Sequence, residues 1–232
     1  MRTYWNPKAK NFGDTLTPVI LRHLGFELQH VDRSIHGKVL AVGSIMNALR
    51  PGDVVWGTGV QHDRRYAASK ATFLAVRGPI TRSCIDNATV PQVYGDPALL
   101  LPEVYDPDVT VRHKVGVMPH FVDADYARAR YPDALYIDVK GGWRRVVRQM
   151  KACERIITTS LHGIIAADAY GIPVTWHGSY TGKIVSSNLK FQDHFLATGR
   201  PCLTPGPVPP MDRDLWGHLC TQLKRTAAGL PT

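Results

Sequence analysis

The sequence predicts an α/β protein made of two similar halves, each with a parallel sheet. Short apolar runs alternate with helical patterns along most of the chain. Such alternation is the mark of strands joined by helical crossovers. A polar stretch at 102–113, PEVYDPDVTVRH, with two prolines, separates two series of this kind. The chemically interesting polar residues gather in loops at strand ends, where open α/β sheets bind ligands. The expected organisation is a first half at 1–105 and a second at 112–200, with a cleft between them as the default ligand site. Residues 201–232 form a proline-rich tail and a terminal helix packing back on the body.

Taken in order, first-half strands are expected at 2–6, 27–31, 39–43, 54–56, 72–76 and 92–94, with helices at 14–24 and 79–86. Second-half strands are expected at 115–118, 134–137, 155–158 and 174–176, with helices at 143–153 and 163–170. In helix 143–153, Trp143, Val146, Val147, Met150 and Cys153 follow helical spacing and form a core stripe. Arg144, Arg145, Arg148, Lys151 and Arg155 fall on the other side, with Glu154 the only acid. A solvated face and a contact with a polyanion or anionic bilayer both fit that pattern. Helix 163–170 is ended by Gly171, with Pro173 two residues on. The tail at 201–210 holds five prolines in ten residues, so it is extended. A last helix is expected at 212–228.

The 232 residues, 44% of them hydrophobic, suffice for one large domain or two small ones. Lys and Arg number 28 against 19 Asp and Glu, a net charge of +9. That balance favours polyanions, anionic headgroups or phosphorylated substrates without choosing among them. Cys84, Cys153, Cys202 and Cys220 are far apart, with no CxxC and no Cys/His metal spacing. Reduced thiols, a cytoplasmic setting and no metal are expected. The first residues, MRTYWNPKAKNFGD, lack the apolar core of a signal peptide. No run approaches the ~20 apolar residues of a membrane span. Any contact with the inner membrane face is expected to be peripheral.

The most informative stretch is TTSLHGIIAADAYGIPVTW, residues 158–176. Its centre, Ser160, Leu161, His162 and Gly163, reads as a strand-to-helix loop. The imidazole then stands where helix N–H groups favour anions. A titratable group there suits proton transfer to a phosphate-bearing substrate. In the loop Asn11-Phe12-Gly13-Asp14, Asp14 reads as an N-cap or as a carboxylate facing the cleft. In Gly57-Thr58-Gly59 the glycines allow either a tight turn or a close ligand approach. A full GxGxxG is absent, which disfavours a dinucleotide. Arg77 ends a strand ahead of Pro79 and reads as an anion grip or an interdomain salt bridge. Arg82 reads as a solvated helix residue. Asp96 precedes Pro97 and is held extended. His120 ends a strand and reads as a cleft residue or a structural histidine. Lys183 and Lys190 each suit a phosphate contact.

The ordered series NFGD, AVGS, VVWGTG, VRGPITR, YGDPALL, MPHF and TSLHGIIAADAYGIP resembles the polysaccharide pyruvyl transferase family, over about residues 4–200. The similarity is nearest to its exopolysaccharide branch. The resemblance implies two Rossmann-like halves in a compact GT-B-like arrangement around a cleft. It implies transfer of the pyruvyl group of phosphoenolpyruvate, a co-substrate rather than a cofactor, onto two hydroxyls of a glycan or lipid-linked sugar as a cyclic ketal. By the same resemblance Asp14, Arg77 and His162 match the family's catalytic acid, arginine and histidine, and Lys183 or Lys190 contacts the donor phosphate. Arg77 would pair with the donor carboxylate, and a cationic His162 would protonate the methylene carbon. Ser160 stands where other branches carry arginine.

Two other readings share these residues. A GT-B-like glycosyltransferase would use a nucleotide sugar, with a modified nucleic acid or a glycan as acceptor. A non-catalytic binding module would keep the fold alone.

Overall fold

The computed structural model describes residues 1–8, 11–179, 188–201 and 203–232. The first half opens with β1 (Arg2–Tyr4), a 3-10 turn at Gly13–Thr15 and α1 (Leu16–His23). Leu16, Ile20 and Leu21 bury one face of α1. There follow β2 (Gln29–His30), β3 (Val39–Leu40), β4 (Val54–Trp56), β5 (Tyr66–Ala67) and β6 (Thr72–Ala75). Then come α2 (Pro79–Ser83), with proline in its first turn, β7 (Ile85–Asp86) and α3 (Leu101–Val104). The second half runs β8 (His113–Met118), α4 (Ala124–Arg130), β9 (Leu135–Tyr136), α5 (Trp143–Lys151) and β10 (Cys153–Thr158). It continues with α6 (Leu161–Tyr170), β11 (Val174–Trp176), α7 (Leu189–Ala197), β12 (Gly206–Pro207) and α8 (Arg213–Ala227).

Each half holds a five-stranded sheet. The first has the order β2-β1-β3-β4-β6, all parallel. The second has the order β12-β11-β10-β8-β9, parallel except for the edge strand β12. In both, the strand order reverses beside the first strand: at β1/β3 in one and at β8/β10 in the other. Loops leaving the carboxyl ends of strands at such a switch point form a crevice. A small parallel pair, β5 with β7, stands apart from both sheets.

The α6 sequence, LHGIIAADAY, is apolar on nearly every side, and eight of its ten residues are buried. A helix of that composition belongs in an interior. One core cluster joins Leu16, Trp56 and Leu99 to Met150, Ile164 and Trp176, so the halves share a core. Helix α7 packs on α2 of the first half and on α6 of the second. Helix α8 returns to the first half and packs on β4, β6 and the turn Pro97–Leu100. Trp56 Nε1 donates to Leu223 O at 3.2 Å, and Trp216 Nε1 to Leu99 O at 3.2 Å.

Most expected elements are present with shorter bounds, and several differ for physical reasons. The helix expected at 143–153 stops at Lys151, and Cys153 opens β10 in register with His113. The helix expected from residue 14 is preceded by the 3-10 turn, and Asp14 lies inside that turn instead of capping a helix. The helix at 79–86 ends at Ser83, because Ile85 and Asp86 pair with Tyr66 and Ala67. The strand at 92–94 reduces to one bridge between Val76 and Tyr94. Helix α6 starts at Leu161, which brings His162 into its first turn. The linker at 102–113 begins inside α3. In the tail, Gly206–Pro207 pairs with β11 as an edge strand, a place where proline's missing donor is tolerated. Among the described residues no helix is long and apolar enough to cross a membrane, and no acid/His/Cys group could hold a metal.

Candidate active site

A cleft of about 460 Å³ opens where the two switch points face each other. The loop after β1 supplies Asn6, Asn11, Gly13 and Asp14, and the loop after β3 supplies Ser44 and Asn47. Opposite them stand His120 from the loop after β8, then Ser160, Leu161 and His162 after β10. Lys190 enters from the first turn of α7.

His162 reaches across to the first half. A Cβ on Gly13 would lie 2.0 Å from His162 Nδ1, and one on Gly43 would lie 3.6 Å from its Cε1. The ring therefore fills space that only glycine at position 13 leaves open. His162 Nε2 is buried and bonded to nothing among the described residues, with Asp96 Oδ2 3.7 Å away. Burial drives the imidazole pKa down to about 3, and the charges of Lys190 and Arg77 act in the same direction. The imidazole is neutral in the ligand-free protein, so the cation expected there requires an anion beside it.

Asp14 is held by Asn11, whose Oδ1 accepts the Asp14 N–H at 3.1 Å while its Nδ2 donates to Asp14 Oδ2. Burial raises the Asp14 carboxyl to about 6, against the Asn11 bond and the Lys190 charge. Asp96 is fully buried and accepts from Gly43 N at 3.1 Å and Ala98 N at 3.0 Å. Its carboxyl too is raised by burial to about 6. The backbone N–H of His120 donates to Thr159 Oγ1 at 2.8 Å. Burial and the nearby Lys190 lower its imidazole to about 4. Lys190 is itself lowered by burial to about 8, with Arg77 adding to the effect and Asp14 opposing it. Asp14, His120, His162 and Lys190 thus form one electrostatically linked group.

Arg77 does not line this cleft. It is fully buried, and its Nε donates to Asp193 Oδ2 at 3.0 Å, Nη1 to Ser44 Oγ at 2.7 Å and Nη2 to Val60 O at 2.6 Å. With every nitrogen engaged behind the wall, a direct grip on a ligand carboxylate is not open to it in this geometry. Thr81 adds two more donors to Asp193, from N at 2.9 Å and from Oγ1 at 2.6 Å. Arg77 and Asp193 therefore join the first half to α7, three residues beyond Lys190.

The Gly57-Thr58-Gly59 turn serves packing. Gly57 has φ +89°, and a Cβ there would sit 2.3 Å from Pro97. A Cβ on Gly59 would meet the Arg77 guanidinium at 2.3 Å. Thr58 Oγ1 donates to Gly43 O at 2.6 Å and accepts from Ile45 N. None of the three borders the cleft. Gly163 lets α6 press onto β10, since a Cβ would fall 2.3 Å from Thr158 Oγ1. Thr158 Oγ1 in turn accepts the Ser160 N–H at 3.0 Å and orients the first turn. Lys183 lies outside the described residues.

The sequence reading missed Tyr4, Arg33, Asn47 and Gln61 on the cleft wall. It also gave Asp193 no role and missed a buried network in which Asp168 accepts from His194 at 2.7 Å and from Arg200 at 2.9 and 2.6 Å. Pairing across 116 residues, as between Arg77 and Asp193, leaves no local signal.

Two largely parallel sheets with their switch points on one polar cleft define an α/β protein with a candidate ligand site between its halves. The chain belongs to the polysaccharide pyruvyl transferase family, which residues 30–177 match. It is 30% identical over 196 residues to a protein described as uncharacterized protein L143 of Acanthamoeba polyphaga mimivirus, across 79% of this chain and 64% of that one. It is 29% identical over 200 residues to the succinoglycan biosynthesis protein ExoV of Rhizobium meliloti (strain 1021), across 79% and 60%. The chain thus spans less than two thirds of the length of each relative. No solved structure matches it.

Proposed function

We propose that the protein moves the pyruvyl group of phosphoenolpyruvate onto two hydroxyls of a glycan sugar, closing a cyclic ketal and releasing phosphate. The reading includes two Rossmann-like halves in a compact GT-B-like arrangement, at 1–105 and 112–200. The observation that carries it is the linked group of Asp14, His120, His162 and Lys190 in the cleft of a chain of this family.

In this mechanism Lys190 and the α6 N-terminus hold the donor phosphate. The arriving dianion raises the His162 pKa, because an adjacent opposite charge favours the cation. His162 then gives its proton to the methylene carbon, leaving C2 oxocarbenium-like. A sugar hydroxyl adds to C2 as Asp14 takes its proton. The C2–O bond to phosphate breaks, the second hydroxyl adds, and its proton leaves. One hydroxyl proton thus balances the new methyl group and the other leaves with hydrogen phosphate. General acid catalysis of this kind supplies about 10²–10⁴-fold. Arg77 contributes fixed positive potential from behind the wall.

The test is thermal unfolding with phosphoenolpyruvate, inorganic phosphate and UDP-glucose added separately. A ligand at 100 times its Kd adds about 2.7 kcal/mol. The expected result is a shift with phosphoenolpyruvate beyond that of phosphate, lost in Lys190→Ala. A shift with UDP-glucose alone would overturn the proposal in favour of a nucleotide-sugar donor.

A further inference from the structure

The two walls of the cleft differ in chemistry. The second half and α7 present nitrogen bases and a cation: His120, His162 and Lys190. The first half presents mostly neutral groups that both donate and accept. Tyr4, Asn47 and Gln61, which carry a hydroxyl and two side-chain amides, line its side of the cleft. None of the three polar groups has a hydrogen-bond partner among the described residues. Ser44 Oγ accepts from Arg77, which leaves its hydrogen free to donate into the cleft. Arg33 closes this side, donating from Nη2 to Asn47 O at 3.3 Å.

A carboxamide offers a donor and an acceptor side by side, which matches a hydroxyl that does both. A row of such groups with an aromatic ring fits a polyhydroxyl ring better than it fits an anion. Asp14 sits at the border of the two walls. Its charge acts on Lys190 on one side and on Tyr4 on the other. Arg33 acts on Tyr4 and is not among the charges that shift Lys190 or His162.

We propose that Tyr4, Asn47 and Gln61 form a pyranoside subsite that turns one sugar hydroxyl toward Asp14. Sugar binding stands on the wall itself; naming it the acceptor subsite rests on the pyruvyl-transfer reading. A site built to bond hydroxyls rejects analogues that lack them, so these three side chains select among acceptors.

Saturation-transfer NMR with methyl β-glucopyranoside and methyl β-galactopyranoside tests this, with phosphoenolpyruvate binding followed in parallel by thermal shift. The wild type is expected to give a saturable signal with at least one glycoside. Asn47→Ala and Gln61→Ala are each expected to weaken it about fivefold, the worth of one net hydrogen bond. Tyr4→Phe, which removes only an oxygen, is the variant least able to disturb folding and is expected to weaken it similarly. The phosphoenolpyruvate shift should survive all three changes, and Lys190→Ala should show the reverse pattern. Absent glycoside binding in the wild type overturns the proposal. So do unchanged binding in the double variant Asn47→Ala/Gln61→Ala and a parallel loss of the phosphoenolpyruvate shift in Tyr4→Phe. If phosphoenolpyruvate fails to bind while the glycosides bind through these side chains, the subsite stands and the donor assignment falls.

Discussion

His162 is neutral at physiological pH because burial and two nearby cations oppose its protonation. Binding of phosphoenolpyruvate should therefore draw in a proton. Calorimetry in two buffers of different ionisation enthalpy should detect this uptake, and His162→Gln should remove it. Equal uptake in both proteins would leave the imidazole without the proton-carrying role. Asp14 has the opposite displacement, raised to about 6. A carboxyl that binds its proton more tightly when folded stabilises below the unfolded value near 4, and that stabilisation is lost as pH rises to 6. Asp14→Asn should thus be more stable to unfolding than wild type at pH 7, by at most about 3 kcal/mol. The gain should vanish near pH 4, while ketal formation is lost. Gly13→Ala should keep the fold and displace the His162 ring, lowering activity about as much as His162→Ala. A crystal structure with the ring unmoved would contradict this. His162, Asp14, Asn11 and His120 were legible in the sequence because strand-end loops at a switch point collect ligand-facing groups. For Arg77 the sequence left an anion grip and an interdomain salt bridge open, and the pair with Asp193 is the second of these, because a strand-end arginine looks alike whether it turns into the cleft or behind it.

At the level of elements, α7 is the part that ties the site together. Its consecutive residues Asp193 and His194 face opposite halves. Asp193 takes Arg77 and Thr81 of the first, and His194 takes Asp168 of α6. Lys190 on the same helix is thereby fixed relative to His162 at the start of α6. Asp193→Ala leaves a fully buried guanidinium without its counterion and should cost about 3–5 kcal/mol in denaturant unfolding. Asp193→Asn keeps hydrogen-bond acceptance and should cost less. Helix α5 turns Arg144, Arg145 and Arg148 to an exposed face, as the solvated reading of its charge pattern expected. Arg148 Nε donates to Tyr105 Oη at 2.6 Å, Lys151 pairs with Asp106 and bonds Pro107 O, and Arg144 lies 4.2 Å from the Trp143 ring. Part of that basic face is occupied in holding the chain near 105–107. Strands and long helices were readable from periodicity. Helices α4 and α7 were not, because short helices leave few repeats to count and because α7 owes its place to contacts distant in sequence.

For the whole molecule, the return of α8 decides stability. Leu219, Leu223 and Ala227 are buried, and the helix covers β4 and β6 of the first sheet. Truncation after residue 205 should expose Trp56, lose cooperative unfolding and promote aggregation. Light scattering and near-ultraviolet circular dichroism would register this, and a soluble, cooperatively folding fragment would contradict it. The shared core places both walls of the cleft in one body, so stability and ligand binding are expected to fail together on heating. The return of α8 also bears on synthesis. A chain emerging from the ribosome makes its first sheet early, yet that sheet stays uncovered on one side until residue 227 has left the exit tunnel. At about 5–20 residues per second, that wait lasts from several to tens of seconds. During it the nascent first half offers an apolar face to chaperones, and its folding is completed last although its strands are made first.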